Sequence, residues 1–156
     1  MSVLTSASSI AEEKPHVHQP SIVGLNIPVD IQPLLTKEMR AIEKAMQELV
    51  STIATGNWGK TAEIGKQIQA SYIMKQSLTA EQMEHLHHSL PKQFIKLDHS
   101  FHQYAGMLAH AAEVRNTDVV NFYFYKMNDS CIQCHSSYAQ KKFPGFAAFI
   151  ENYDSH

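Results

Sequence analysis

Residues 33–54 read PLLTKEMRAIEKAMQELVSTIA. Within them Leu35, Met39, Ile42, Met46, Leu49 and Ile53 recur at steps of four and three. That spacing lays one apolar seam along the face of an α-helix. The charged residues Lys37, Glu38, Arg40, Glu43, Lys44 and Glu48 fill the remainder. Pro33 suits a first turn, where a missing N–H leaves no intrahelical partner unsatisfied. Thr55-Gly56-Asn57 ends the run.

The same period continues outward from this stretch. Trp58 to Gln76 is expected to be helical, with Ala62, Ile64, Gly65, Ile68, Tyr72 and Ile73 on a wider apolar face. Thr79-Ala80-Glu81-Gln82 has the form of a capping box and opens a short helix toward His88. Pro91 starts a third long helix, with a seam of Phe94, Leu97, Phe101, Tyr104, Leu108 and Ala111. Arg115-Asn116-Thr117-Asp118 ends it and caps a fourth, expected from about Asp118 to Lys142, before Phe143-Pro144-Gly145. Val119 to Tyr125 is aromatic and β-prone, but it follows a helix cap, so helix is expected there too. Four long helices on short connections define an all-α chain: an antiparallel, up-down-up-down four-helix bundle.

Residues 1–30 read differently. Pro15, Pro20 and Pro28 interrupt any helix and apolar periodicity is missing, so an extended or flexible N-terminal arm is expected, with residues 31–156 as one bundle domain. His16 and His18 are too few for a metal tract, and a solvated arm is the expectation. At 156 residues, one domain is all the length supports. A formal net charge of −2 argues against a nucleic-acid partner. No apolar run approaches the ~20 residues of a membrane span. The first residues, Met1 to Ala7, lack a signal peptide's basic flank and apolar core.

Cys131 and Cys134 are the only cysteines, and they sit in Cys131-Ile132-Gln133-Cys134-His135. Covalent haem c requires two thiols about one turn apart on one side, followed by an imidazole for the iron. C-x-x-C-H on a helix supplies all three within five residues. Tyr138, Phe143 and Phe146 follow it and can enclose an apolar cofactor. Two other readings compete. A thioredoxin-like redox pair belongs at the start of a helix after a strand, whereas this pair lies near a helix end. A zinc site would need a further, distant ligand, and adjacent Cys134 and His135 are poorly spread for a tetrahedron. Because haem is attached to such motifs outside the cytoplasm, a periplasmic location is expected, with the export segment absent from this sequence.

A helical bundle with C-x-x-C-H near the end of its last helix resembles the class II c-type cytochromes, the class of cytochrome c prime and its low-spin relatives. The similarity covers about residues 33–146. It implies one covalent haem c, with His135 as the proximal iron ligand. In the low-spin members a Met near the start of the first helix supplies the sixth ligand. In the high-spin members that face is open or blocked by an apolar side chain. Members often carry a basic residue four positions after the haem histidine. Here that position is Ala139, and Lys141 and Lys142 come slightly later. Pairing of two chains through the first two helices is implied by the resemblance alone.

Bundle geometry points to Met39 for the sixth ligand. In an antiparallel pair the start of the first helix lies level with the end of the last. His135 is five residues before Gln140, ~8 Å from that end, and Met39 is six residues after Pro33, ~9 Å from the start. Met46 shares the seam but lies ~10 Å too deep. The bland role for Met39 is core packing, common for Met on a helical seam. His102 on the third helix is a further possible ligand, although a polar flank position suits it better. His85, His87 and His88 are expected in a solvated connection. Phe94, Phe101, Tyr104, Phe124 and Tyr138 are the aromatics expected near the haem, and Trp58 is expected at the far end. The resulting expectation is a monohaem electron carrier with redox-protein partners and no catalytic residues. The alternative is a five-coordinate haem protein that binds nitric oxide or carbon monoxide.

Overall fold

A computed structural model of the chain describes residues 25, 27–70 and 78–146. Among these residues there are five helices and no strand: α1 Gln32–Ala54, α2 Trp58–Gln69, α3 Ala80–Ser89, α4 Lys92–Glu113 and α5 Thr117–Tyr138. Most of the expected arm, with His16 and His18, lies outside the described residues, as do Tyr72 and Ile73 of the expected second helix. Among the described residues no helix is long and apolar enough to cross a membrane.

Short side chains at the helix starts set the boundaries. Asn57 accepts from the Lys60 amide at 3.2 Å, just after Gly56 has turned the chain at φ +66°. Thr79 and Gln82 close the capping box, with reciprocal bonds of 3.2 and 3.0 Å. Asn116 accepts from the Val119 amide at 3.2 Å and opens α5. That cap carries Val119 to Tyr125 into helix despite their β-propensity. Ahead of α1 there is no side-chain cap. Instead Pro28 accepts from the amides of Ile31 and Gln32, and Ile31 is buried.

The core joins α1, α2, α4 and α5. Leu49, Ile68, Leu108 and Met127 are fully enclosed, each burial stabilising the fold by about 1.5–3 kcal/mol. On α1 the buried stripe is Glu38, Ile42, Ala45, Leu49 and Thr52. Leu35, Met39, Met46 and Ile53 are only half-buried along one flank of it. The expected seam is therefore rotated, and Glu38, expected among the solvated charges, is 3% exposed.

Close backbone approach joins α1 to α2, α2 to α4 and α4 to α5. The Thr52 and Thr61 hydroxyls share a hydrogen bond of 3.0 Å across the first pair. At the second, Gly65 lies so near α4 that an added Cβ would sit 2.8 Å from the Ala105 carbonyl oxygen. Across the third, Tyr104 meets Tyr123 with ring centroids 6.2 Å apart, and Phe94 meets Tyr138 edge-on at 5.5 Å. As residue numbers rise on α4 their partners on α5 fall, so this pair is antiparallel. Among the described residues α1 and α5 have no comparable approach. Tight packing thus runs in sequence from α1 through α2 and α4 to α5.

Candidate functional site

Cys131, Cys134 and His135 occupy the last two turns of α5, all half-buried. Three residues of helix separate the cysteines by about 60° around the axis, and His135 lies about 40° from Cys131. The three groups thus share one side of the helix. Phe124, Cys131 and His135 form the flank of the buried stripe opposite Tyr123, which faces α4. On α1, Thr52 faces α2, and Met39, Met46 and Ile53 lie on the flank turned away from it. Each half-covered flank therefore lies on the side of its helix turned away from the neighbour it packs on.

The contact pairs also register the helices. One follows Thr52–Thr61 from α1 to α2, Ile68–His102 to α4, and Phe94–Tyr138 and Tyr104–Tyr123 to α5. Stepping along each helix at about 1.5 Å per residue, Met39 falls level with the Cys131–His135 segment. By the same count His102 lies about 10 Å further along the bundle than His135, and Met46 deeper still. Helix α5 ends at Tyr138, a turn before the expected Lys142.

Burial dominates the chemistry of the two thiols. It raises the Cys131 thiol. It pushes Cys134 up to about 12, with the charges of Asp98 and Cys131 adding to the effect. Both are free, neutral thiols at physiological pH. A thiol–disulfide redox pair calls for the opposite shift, toward thiolate. His135 moves the other way: burial and then the Lys142 charge lower its pKa. The neutral imidazole is the form that binds a metal. Among the described residues no group of three or more His, Cys, Asp or Glu could hold a metal ion on its own.

Beyond the helix, Ala139 donates its amide to the His135 carbonyl at 2.9 Å, and Phe143 donates to Ala139 at 2.9 Å. This turn folds Phe143 back onto His135, the rings stacked at 4.6 Å and 29°. Lys142 lies over the Phe143 ring, 5.4 Å from its centroid.

The other expected residues divide. Phe101 is buried, and Phe94, Tyr104, Phe124 and Tyr138 are half-buried around α4 and α5. Trp58 packs on the core at the start of α2. His102 is held on the flank: its Nδ1 faces the Ile68 carbonyl and its Nε2 lies 3.5 Å from Asp98. His85 and His88 are exposed, and the side chain of His87 lies outside the described residues. Two carboxylates at this end were not legible as site residues: buried Glu38, whose charge acts on His102, and Asp98, whose charge reaches Cys134. Their signal was positional, Glu38 standing four residues before Ile42 and Asp98 four before His102.

No protein-family model matches the chain, and no curated protein or solved structure matches it either.

Proposed function

We propose that the chain is a monohaem c-type cytochrome of the class II type. On this proposal α1, α2, α4 and α5 form the up-down-up-down four-helix bundle, and Cys131 and Cys134 hold haem c by thioethers. His135 is the proximal ligand and Met39 the distal one. One observation carries it. Two free, half-buried thiols and an adjacent half-buried imidazole share one side of the last two turns of α5. Two thioethers need two free thiols, and the helix geometry puts them and the imidazole on one side.

The bound haem supplies one-electron redox chemistry. His135 and Met39 would hold its iron, and apolar side chains such as Phe94 and Phe124 would line the site. With two protein ligands, little rearranges between oxidation states, which suits outer-sphere electron transfer to partner proteins. On this proposal the chain is a periplasmic electron carrier and not an enzyme. Absorption spectra of protein exported through a haem-maturation system, with and without carbon monoxide, test it. A low-spin ferrous spectrum that carbon monoxide barely changes is expected. A high-spin spectrum that carbon monoxide converts at once would replace the carrier with the gas-binding alternative.

A further inference from the structure

We propose that Phe143 is a positioning residue that sets the rotation of the His135 ring, an inference that rests on the haem-ligand role of His135. A ligating histidine is usually held by a hydrogen bond from its second ring nitrogen to a carbonyl or carboxylate. Among the described residues no hydrogen bond reaches either nitrogen of His135. What contacts the ring instead is a face: Phe143 stacks on it at 4.6 Å and 29°. Rotation about the bond joining the imidazole to its Cβ would drive the ring edge into Phe143, so one orientation is favoured.

The backbone makes this stack specific. Helix α5 stops at Tyr138 because Ala139 leaves helical geometry. The amides of Lys142 and Phe143 both donate to the Ala139 carbonyl at 2.9 Å. Phe146 donates to the Phe143 carbonyl at 3.2 Å and extends the turn. Lys142 covers the ring of Phe143 with its ammonium 5.4 Å from the centroid. Lysine, phenylalanine and histidine thus form one short stack closing the end of α5. A stacked aromatic leaves both imidazole nitrogens free, one for the iron and one for solvent. It controls angle without supplying a hydrogen bond.

Electron paramagnetic resonance of the oxidised, haem-loaded full chain tests this, because the imidazole plane shapes the anisotropy of a low-spin ferric centre. Wild type is expected to give one narrow low-spin species. Phe143→Leu keeps apolar volume but loses the flat face, and should give a broadened signal or several overlapping ones. Phe143→Tyr restores the face and should restore the single species. Far-UV circular dichroism should show equal helix content in all three, which separates positioning from a folding defect. A Phe143→Leu signal identical to wild type, in protein carrying haem and a low-spin spectrum, overturns the positioning role and leaves the cytochrome proposal standing. A chain that acquires no haem under maturation overturns both.

Discussion

Replacing Gly65 by alanine tests whether α2 and α4 pack as closely as the site requires. The new methyl group would stand 2.8 Å from the Ala105 carbonyl oxygen, 3.0 Å from the Ala109 Cβ and 3.1 Å from the Ala109 amide nitrogen. These atoms belong to the α4 backbone or sit directly on it, so relief requires moving a helix. Overpacking of this kind costs about 1–3 kcal/mol. Alanine recovers up to about 1 kcal/mol of helix propensity over glycine. The contacts are with backbone, so the net loss should fall at about 1–2 kcal/mol. For a chain of this size that lowers the unfolding midpoint by about 2–8 °C. Gly59→Ala is the control: an added Cβ there meets nothing within 4 Å, so only the propensity gain remains. Thermal melts followed by circular dichroism should therefore move in opposite directions for the two variants. A Gly65→Ala protein that melts at or above wild type would refute the close α2–α4 approach, and with it the Ile68–His102 registration.

Other consequences follow from the same geometry. Met39→Ala should convert a low-spin spectrum to one that takes up carbon monoxide, whereas Met46→Ala should leave the spin state alone. Both are half-buried, so each should cost about 2 kcal/mol, the lower end for a buried Met→Ala change. Burial alone would lower the His102 pKa, but Asp98, the Ile68 carbonyl and Glu38 outweigh it, so a value above 6.5 is expected by nuclear magnetic resonance. A raised value means that its stabilising contribution is complete below pH 6.5 and is lost as pH rises through the folded pKa. His102→Ala should remove that slope, and an unchanged slope would refute the assignment. In chain made without haem, Cys134 should alkylate far more slowly at neutral pH than after denaturation, because its thiol is pushed up to about 12. Equal rates would refute its burial. Removing residues 1–24 should leave the haem spectrum unchanged. Cutting further would take Ile27 and Pro28, whose carbonyls accept from the first residues of α1.

Local signals in the sequence were sufficient for the helix starts, whereas α2 closes at Gln69 and α5 at Tyr138, short of the expected ends. Asn57, Thr79 and Asn116 are caps readable by residue type, and the capping box forms as expected. Which face of a helix turns inward was harder. On α1 two stripes share Ile42 and Leu49. The apolar one runs through Met39 and Met46, and the buried one runs through Glu38, Ala45 and Thr52. The choice between them depends on α2, whose Thr61 draws Thr52 inward. Likewise Gly65, Ala105 and Ala109 matter because two helices meet there, a fact that periodicity within either helix does not contain. The order of Cys131, Cys134 and His135 was legible because all three lie within one local motif. Their relation to Met39 was inferred from helix lengths, and the end of α5 fell a turn earlier than that inference used. Phe143 was readable as an aromatic near the motif. Its stack on His135 depends on the turn at Ala139, which no residue type announces.

The claim on which the rest depends is that Cys131 and Cys134 hold haem c. Intact-protein mass spectrometry of chain exported through a haem-maturation system measures it directly. One haem per chain is expected, retained after acid–acetone extraction and lost when both cysteines are replaced by serine. A chain of unmodified mass under those conditions would contradict it.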